Sequence, residues 1–277
     1  MFVPTASALG SSSSGARDDR GDAVTFTLLG QLEVLKEGRD LAPTAPKILQ
    51  LLAMLLTRPG RVVPNDSIIQ ELWSSSPPRS VRTTVQTYVY QVRKCIEQNG
   101  LAPDGEAMLI TKPPGYLLRI DPIQVDVFAF QRQCRQGRNL LETGSYAEAA
   151  EEFHRALALW SGPPLANVNC GPHLSAYAVD LQEQRRNARH LRIEAQIEGG
   201  MHRDLIGELR SLATANPLDE GVHGQLMRVL SRSGRRSDAM ATYRRLRCRL
   251  DAELGVEPCD ELQLLYLDLL TVREPSH

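Results

Sequence analysis

Between Arg79 and Gln98 the chain carries side chains suited to reading an ordered polyanion. Arg79, Arg82, Arg93 and Lys94 are cations that can pair with phosphate. Ser80, Thr83, Gln86, Thr87 and Tyr90 can hydrogen-bond to base edges. No Asp or Glu falls between Arg79 and Ile96. Wound as a helix at about 100° per residue, Val81, Val85, Tyr88, Val89, Val92 and Ile96 form one stripe that must pack on a core. The polar set lies opposite, with Arg82 and Arg93 on its flank. Such a helix fits the major groove, with cations on the backbone and amide and hydroxyl groups on the bases. A merely solvated face would have the same composition, so the surrounding elements decide.

Those elements start at Val24, where Val24 to Leu29 reads as a strand and Leu32, Val34 and Leu35 as a second. A helix follows over Lys47 to Leu56, with Pro46 in its first turn and Thr44 as its expected N-cap. Pro59-Gly60 stops it, and Arg61-Val62-Val63 is short and extended. A second helix, capped by Asn65 or Asp66, runs to Trp73, and Ser74 to Pro78 is a loop. The third helix spans about Arg79 to Gln98. After it, Ala107 to Thr111 and Tyr116 to Ile120 are strand-like, joined by Lys112-Pro113-Pro114-Gly115, a turn with a cation at its tip. Strands, three helices and a basic-tipped hairpin describe a winged helix-turn-helix, and this order shifts the third helix from plain solvation toward DNA reading.

Composition bounds the alternatives. The 277 residues are 42% apolar and 23% charged, ordinary for globular domains. Five cysteines with no CxxC pair point to reduced thiols, and six scattered histidines lack metal spacing. No apolar run approaches the roughly 18 residues of a membrane helix, and the N-terminus is not a secretory signal, so a cytoplasmic protein without membrane partners is expected. Residues 1–23, with Ser11 to Ser14, are expected to be disordered. From Val24 to Arg119, eleven Lys and Arg face eight Asp and Glu, whereas from Ile120 onward nineteen face twenty-two. The basic front half is compatible with an anionic partner. No phosphate loop and no catalytic or metal constellation is found, so no enzyme activity and no cofactor are expected. His154 and His173 read as surface or capping residues, Cys95 as core filler, and Trp73 and Trp160 as core anchors.

From Ile120 the pattern turns all-helical. Three segments align on a tetratricopeptide-like template: Gly144-Ser145-Tyr146, Gly200-Met201-His202 and Gly234-Arg235-Arg236, each followed by spaced small and large apolar residues. The last two start 34 residues apart and the first precedes them by 56, leaving room for an extra or extended helix.

Several blocks carry a resemblance. They include Leu29-Gly30-Gln31-Leu32-Glu33-Val34, Glu71-Leu72-Trp73, Val85 to Val89 with Val92-Arg93-Lys94, and Lys112 to Leu118. With them, residues 27–120 resemble the OmpR-like DNA-binding domain and, more narrowly, that of the Streptomyces antibiotic regulatory protein family. Val125-Asp126-Val127-Phe128, Ala158 to Leu165, Asn216 to Glu220 and Glu253 to Pro258 resemble the bacterial transcriptional activation domain that follows it in that family. Gly255 is expected to end one helix there and Pro258 to open the next. Val168 to His173 is more polar than the family pattern.

The expected architecture is therefore an α+β winged helix over 24–120 and an all-α, tetratricopeptide-like domain over 121–272. It is the family's small form, with neither a receiver domain ahead nor an ATPase domain behind. The resemblance implies an activator of a secondary-metabolite (antibiotic) cluster that binds direct repeats of double-stranded promoter DNA near the −35 element, as a homodimer on DNA. It also implies that the loop Trp73, Ser74, Ser75, Ser76, Pro77 and Pro78 faces the sigma factor of RNA polymerase. Lys47, Arg61, Arg79, Arg82, Arg93, Lys94 and Lys112 are the expected phosphate contacts, and Thr83, Gln86, Thr87 and Tyr90 the side chains nearest the bases. A repressor or ligand sensor, with the helical half binding a small molecule or peptide, is the alternative.

Overall fold

The computed structural model describes residues 24–271; the tail read as disordered, 1–23, lies outside them. Strands β1 (Thr25–Thr27), β2 (Glu33–Lys36) and β3 (Arg39–Asp40) form an antiparallel sheet in that order. Helix α1 (Pro46–Leu56) follows, then β4 (Val62–Pro64), α2 (Asn65–Trp73) and α3 (Val81–Gln98). A short turn of helix, α4 (Gly105–Met108), leads into the hairpin β5 (Leu109–Lys112) and β6 (Gly115–Leu118). β6 pairs with β4 as well as β5, so the second sheet runs β4-β6-β5. The remainder is helical: α5 (Asp126–Glu142), α6 (Tyr146–Ala158), α7 (Pro172–Glu198), α8 (Leu205–Ala215), α9 (Glu220–Arg232), α10 (Arg236–Leu254) and α11 (Asp260–Thr271). This is a winged helix followed by an all-helical domain.

Several element ends differ from the sequence reading. Ala45, not Thr44, caps α1, because Pro46 already occupies the first helical position. Asn65 and Asp66 lie inside α2, whose cap is Pro64. α3 begins at Val81, leaving Arg79 and Ser80 in the loop, and α11 begins at Asp260, two residues after Pro258. The strand expected from Ala107 starts at Leu109. The Asp104 carboxylate accepts the Glu106 N–H and turns the residues before it into α4.

The three aligned segments each begin at a turn between helices, with Gly144, Gly200 and Gly234 at φ 77°, 80° and 73°. The irregular first spacing is an extended helix: α7 is 27 residues long. α5 packs on α6 and α6 on α7, while α8 packs on α9 and α9 on α10.

One hydrophobic core runs through the winged helix into α5, α6 and the first part of α7, and a second fills α8 to α11 with the end of α7. Trp160 lies in the first core, edge-on to Phe130 at 5.4 Å. The seam between the halves is hydrogen-bonded as a sheet edge would be. Ser161, Leu165 and Ala166 donate their N–H groups to the carbonyls of Leu29, Leu28 and Gly30, each at 3.0 Å. Asn167 brackets Leu32, accepting its N–H at 2.7 Å and donating to its carbonyl at 3.1 Å.

Two carboxylates close this seam. Asp126, at the start of α5, accepts from the N–H of Leu28 at 2.9 Å and of Leu29 at 3.0 Å. Glu71 of α2, 1% exposed, accepts from the N–H of Gly171 at 2.6 Å, His173 at 2.8 Å and Leu174 at 3.1 Å, and from Gln50 Nε2 at 3.1 Å. The polar stretch from Val168 to His173, out of character for a helical repeat, is thus the lead-in to an α7 N-terminus capped from the other half of the chain.

Replacing Glu71 by Ala strands those amide groups and Gln50, and should lower the unfolding free energy by about 3 kcal/mol. Chemical denaturation measures this, and an unchanged midpoint would remove the seam from the account. Asp126 supplies a pH signature. Burial pushes its carboxyl up to about 6, against the pull of the Leu29, Leu28 and Val127 N–H groups. A carboxyl raised in the folded chain stabilises most fully below its unfolded value of 3.8, and that contribution fades as pH rises through 6. Between about pH 4.5 and about pH 7 the wild type should therefore lose about 2 kcal/mol relative to Asp126→Asn, which lacks this titration. A constant difference across that range would contradict it.

Candidate nucleic-acid interface

Helix α3 is seated by Val85, Val89, Val92 and Ile96, all buried. Tyr88 is half-buried and stacks on Trp73 at 6.0 Å, tying α3 to the end of α2. Packing of this stripe forces the opposite residues outward. Arg82, Thr83, Gln86, Thr87, Tyr90, Gln91 and Lys94 are exposed, Tyr90 by 63% despite its size. The Thr87 hydroxyl donates to the Thr83 carbonyl at 3.0 Å, which fixes its rotamer and leaves its oxygen lone pairs outward. Arg79 and Ser80 are exposed in the loop that leads into the helix.

The hairpin stands beside this face. Lys112, exposed, pairs with Gly115 at its end. Arg61 is exposed just before β4, where Gly60 N–H is held by the Leu118 carbonyl at 2.8 Å. Between α3, the start of α2 and the hairpin lies a cleft of about 300 Å³ lined by Asn65, Asp66, Arg82, Gln86, Pro114 and Tyr116. Arg82 and Gln86 therefore share one concavity with the wing tip, and Asp66 is the one acid on its wall.

Two of the expected phosphate contacts are engaged within the protein. Arg93 is only 15% exposed. Its Nε donates to the Leu109 carbonyl at 3.0 Å, and its terminal nitrogens donate to Glu106 at 2.7 Å and the Thr111 hydroxyl at 2.9 Å. Arg93 thereby aims the hairpin relative to α3. Lys47 is half-buried, and its ammonium donates to the Leu72 carbonyl and, at 3.2 Å, to Gln50 Oε1, which satisfies the C-terminal end of α2. Arg61, Arg79, Arg82, Lys94 and Lys112 remain at the surface. Gln91 was missing from the sequence set. Its signal was present, since it lies one helical turn after Thr87.

Trp73 is the last residue of α2 and packs on Tyr88, so the exposed loop proper is Ser74 to Ser80, turned by Ser74 at φ 53°. Cys95 is half-buried behind α3, with its thiol pushed up by burial. All five cysteines are free thiols. No described helix is long and apolar enough to cross a membrane.

The chain matches two family profiles, the bacterial transcriptional activator domain over residues 125–270 and the C-terminal domain of transcriptional regulatory proteins over 39–118. It is 38% identical over 246 residues to the regulatory protein DnrI of Streptomyces peucetius, covering 87% of this chain and 89% of that one. It is 33% identical over 249 residues to the transcriptional regulatory protein MoaR1 of Mycobacterium tuberculosis, covering 90% and 79%. The regulatory protein AfsR of Streptomyces griseus is 31% identical over 253 residues, of which this chain spans only 25% of the length. Among solved structures, Mycobacterium tuberculosis EmbR in complex with a low affinity phosphopeptide superposes with a TM-score of 0.84 at 31% identity, over 89% of this chain and 65% of that one. A winged helix and a helical activator domain in this order, with these relatives, place the chain in the Streptomyces antibiotic regulatory protein family of transcriptional regulators.

Proposed function

We propose that the chain is a sequence-specific DNA-binding transcriptional activator. The observation that carries this reading is the exposed face of α3, acid-free from Val81 to Ile96, standing beside a hairpin that ends in Lys112. In this reading Thr83, Gln86, Thr87, Tyr90 and Gln91 meet base edges in the major groove. Arg61, Arg79, Arg82, Lys94 and Lys112 hold the phosphates, while Arg93 and Lys47 position the hairpin and α2 from within. Residues 24–120 read the DNA and 121–272 form the activating half. The operator is a pair of direct repeats near a −35 element, bound by two side-by-side protomers. The exposed loop from Ser74 to Pro78 turns to the sigma factor of RNA polymerase, in the cytoplasm, at a secondary-metabolite (antibiotic) gene cluster.

Gel shifts over a salt series on a fragment from the native gene neighbourhood test the DNA reading. Lys94→Ala and Lys112→Ala should each reduce the slope of log affinity against log salt by about 1, and Gln86→Ala should cost about 1–3 kcal/mol and relax the preference at one base pair. Unchanged affinity and slope in all three would refute the docking. Activation has its own test, transcription in vitro with purified polymerase. Changing Ser75, Ser76, Pro77 and Pro78 to Gly should leave operator affinity intact and reduce transcript to the unactivated level. Repression by the wild-type chain at the bound promoter would make it a repressor instead.

A further inference from the structure

Helix α7 and helix α8 lie apart, linked by the ion pair of Arg192 with Glu208. The gap between the middle of α7, the end of α8 and the start of α9 is a half-open cavity of about 450 Å³. That is the size range of small-molecule sites. Arg185, Arg189 and Ile193 recur every four residues along its α7 wall, and Leu212 and Val222 close its other sides.

The cavity carries unmatched polar chemistry. Gln225, 1% exposed, donates its Nε2 to the His190 carbonyl at 2.9 Å, yet its Oε1 is buried without a partner among the described residues. Arg185 Nε is likewise buried and unpartnered. Its guanidinium lies 4.7 Å over the Trp160 ring, which holds the side chain extended. Neither Arg185 nor Arg189 has a carboxylate within ion-pair distance among the described residues. The two acids on the wall are otherwise engaged: Asp219 caps α9 by accepting the Val222 N–H at 3.1 Å, and Glu183 lies 3.7 Å from Arg186. Burial and the facing Arg189 both lower the proton affinity of Arg185, as expected of two cations lacking a counter-ion.

We propose that this cavity binds a small acidic ligand, its carboxylate or phosphate between Arg185 and Arg189 and its apolar body on Ile193, Leu212 and Val222. Gln225 Oε1 accepts from a hydroxyl or amide of that ligand. Arg185 stacks on Trp160 of the first core, whereas Leu212 and Val222 pack on the second. An occupied site therefore ties the two cores together.

Titration calorimetry on the full chain tests this with naphthoate, phenyl phosphate and the neutral naphthamide, each to about 5 mM. One or both anions should bind saturably at one site, with naphthamide at least about tenfold weaker. Binding by naphthoate alone assigns a carboxylate ligand, and by phenyl phosphate alone a phosphorylated one. Arg189→Gln should weaken the anion about tenfold or more at an unchanged melting temperature. Leu212→Trp, which fills the cavity and leaves the charges in place, should abolish binding and serves as the second readout if Arg189→Gln melts early. No saturable binding by either anion, equal binding of naphthamide, or full affinity in Leu212→Trp would overturn the proposal.

Discussion

The structure depends on how the first turn of α7 is satisfied. A helix N-terminus presents amide N–H groups with no partner inside the helix, and burying them unpaired is costly. Pro172 removes one donor; Gly171, His173 and Leu174 give theirs to the Glu71 carboxylate. The carboxylate thus sits at the positive end of a 27-residue helix, where an anion is favoured. Gly171 is required there, because a Cβ would lie 2.1 Å from the Glu71 carbonyl oxygen. Glu71 also holds Gln50 of α1, so one buried side chain connects α1, α2 and α7.

This connection matters because of what its members do elsewhere. α2 precedes the exposed loop and α3, the elements that face DNA and polymerase in our reading. α7 runs from the first core into the second, contributing Leu174 and Leu181 to one and Ile193 and Ile197 to the other. The orientation of the activating half is therefore transmitted through a continuous helix and a shared apolar core, not through a flexible linker. The loop from Ser161 to Asn167 adds backbone hydrogen bonds to the segment from Leu28 to Leu32, so the winged helix has no free edge at that place.

The same logic sorts the cations. Arg93 and Lys94 are neighbours in sequence and of one charge, but the helix turns one inward and the other outward. Arg93 meets the Leu109 carbonyl and the Thr111 hydroxyl, groups brought within reach only when the hairpin folds back on α3. Its forked guanidinium can satisfy several acceptors at once, which suits it to hold a hairpin in place. Lys47 meets the end of α2 in the same way. A basic residue on a recognition element is thus not by itself a phosphate contact; the competing acceptors inside the protein decide.

The sequence alone determined the classes of element and their order, because helical and strand periodicities are local properties. It marked the apolar stripe of α3, its acid-free opposite face, the basic hairpin and the three inter-helix turns. It also contained the seam, though unrecognised as one: the blocks around Leu29, Glu71, Asp126 and Trp160 read as separate signatures. Only the tertiary structure showed that they are partners, since an unpaired N–H or a buried carboxylate finds its complement about 100 residues away, as Glu71 does with Gly171. Element ends at Ala45, Val81 and Leu109 were set by neighbouring side chains and turns that outweigh local propensity. The inward turn of Arg93 and Lys47, and the cavity between α7 and α8, follow from which surfaces meet, and local pattern carries no record of that.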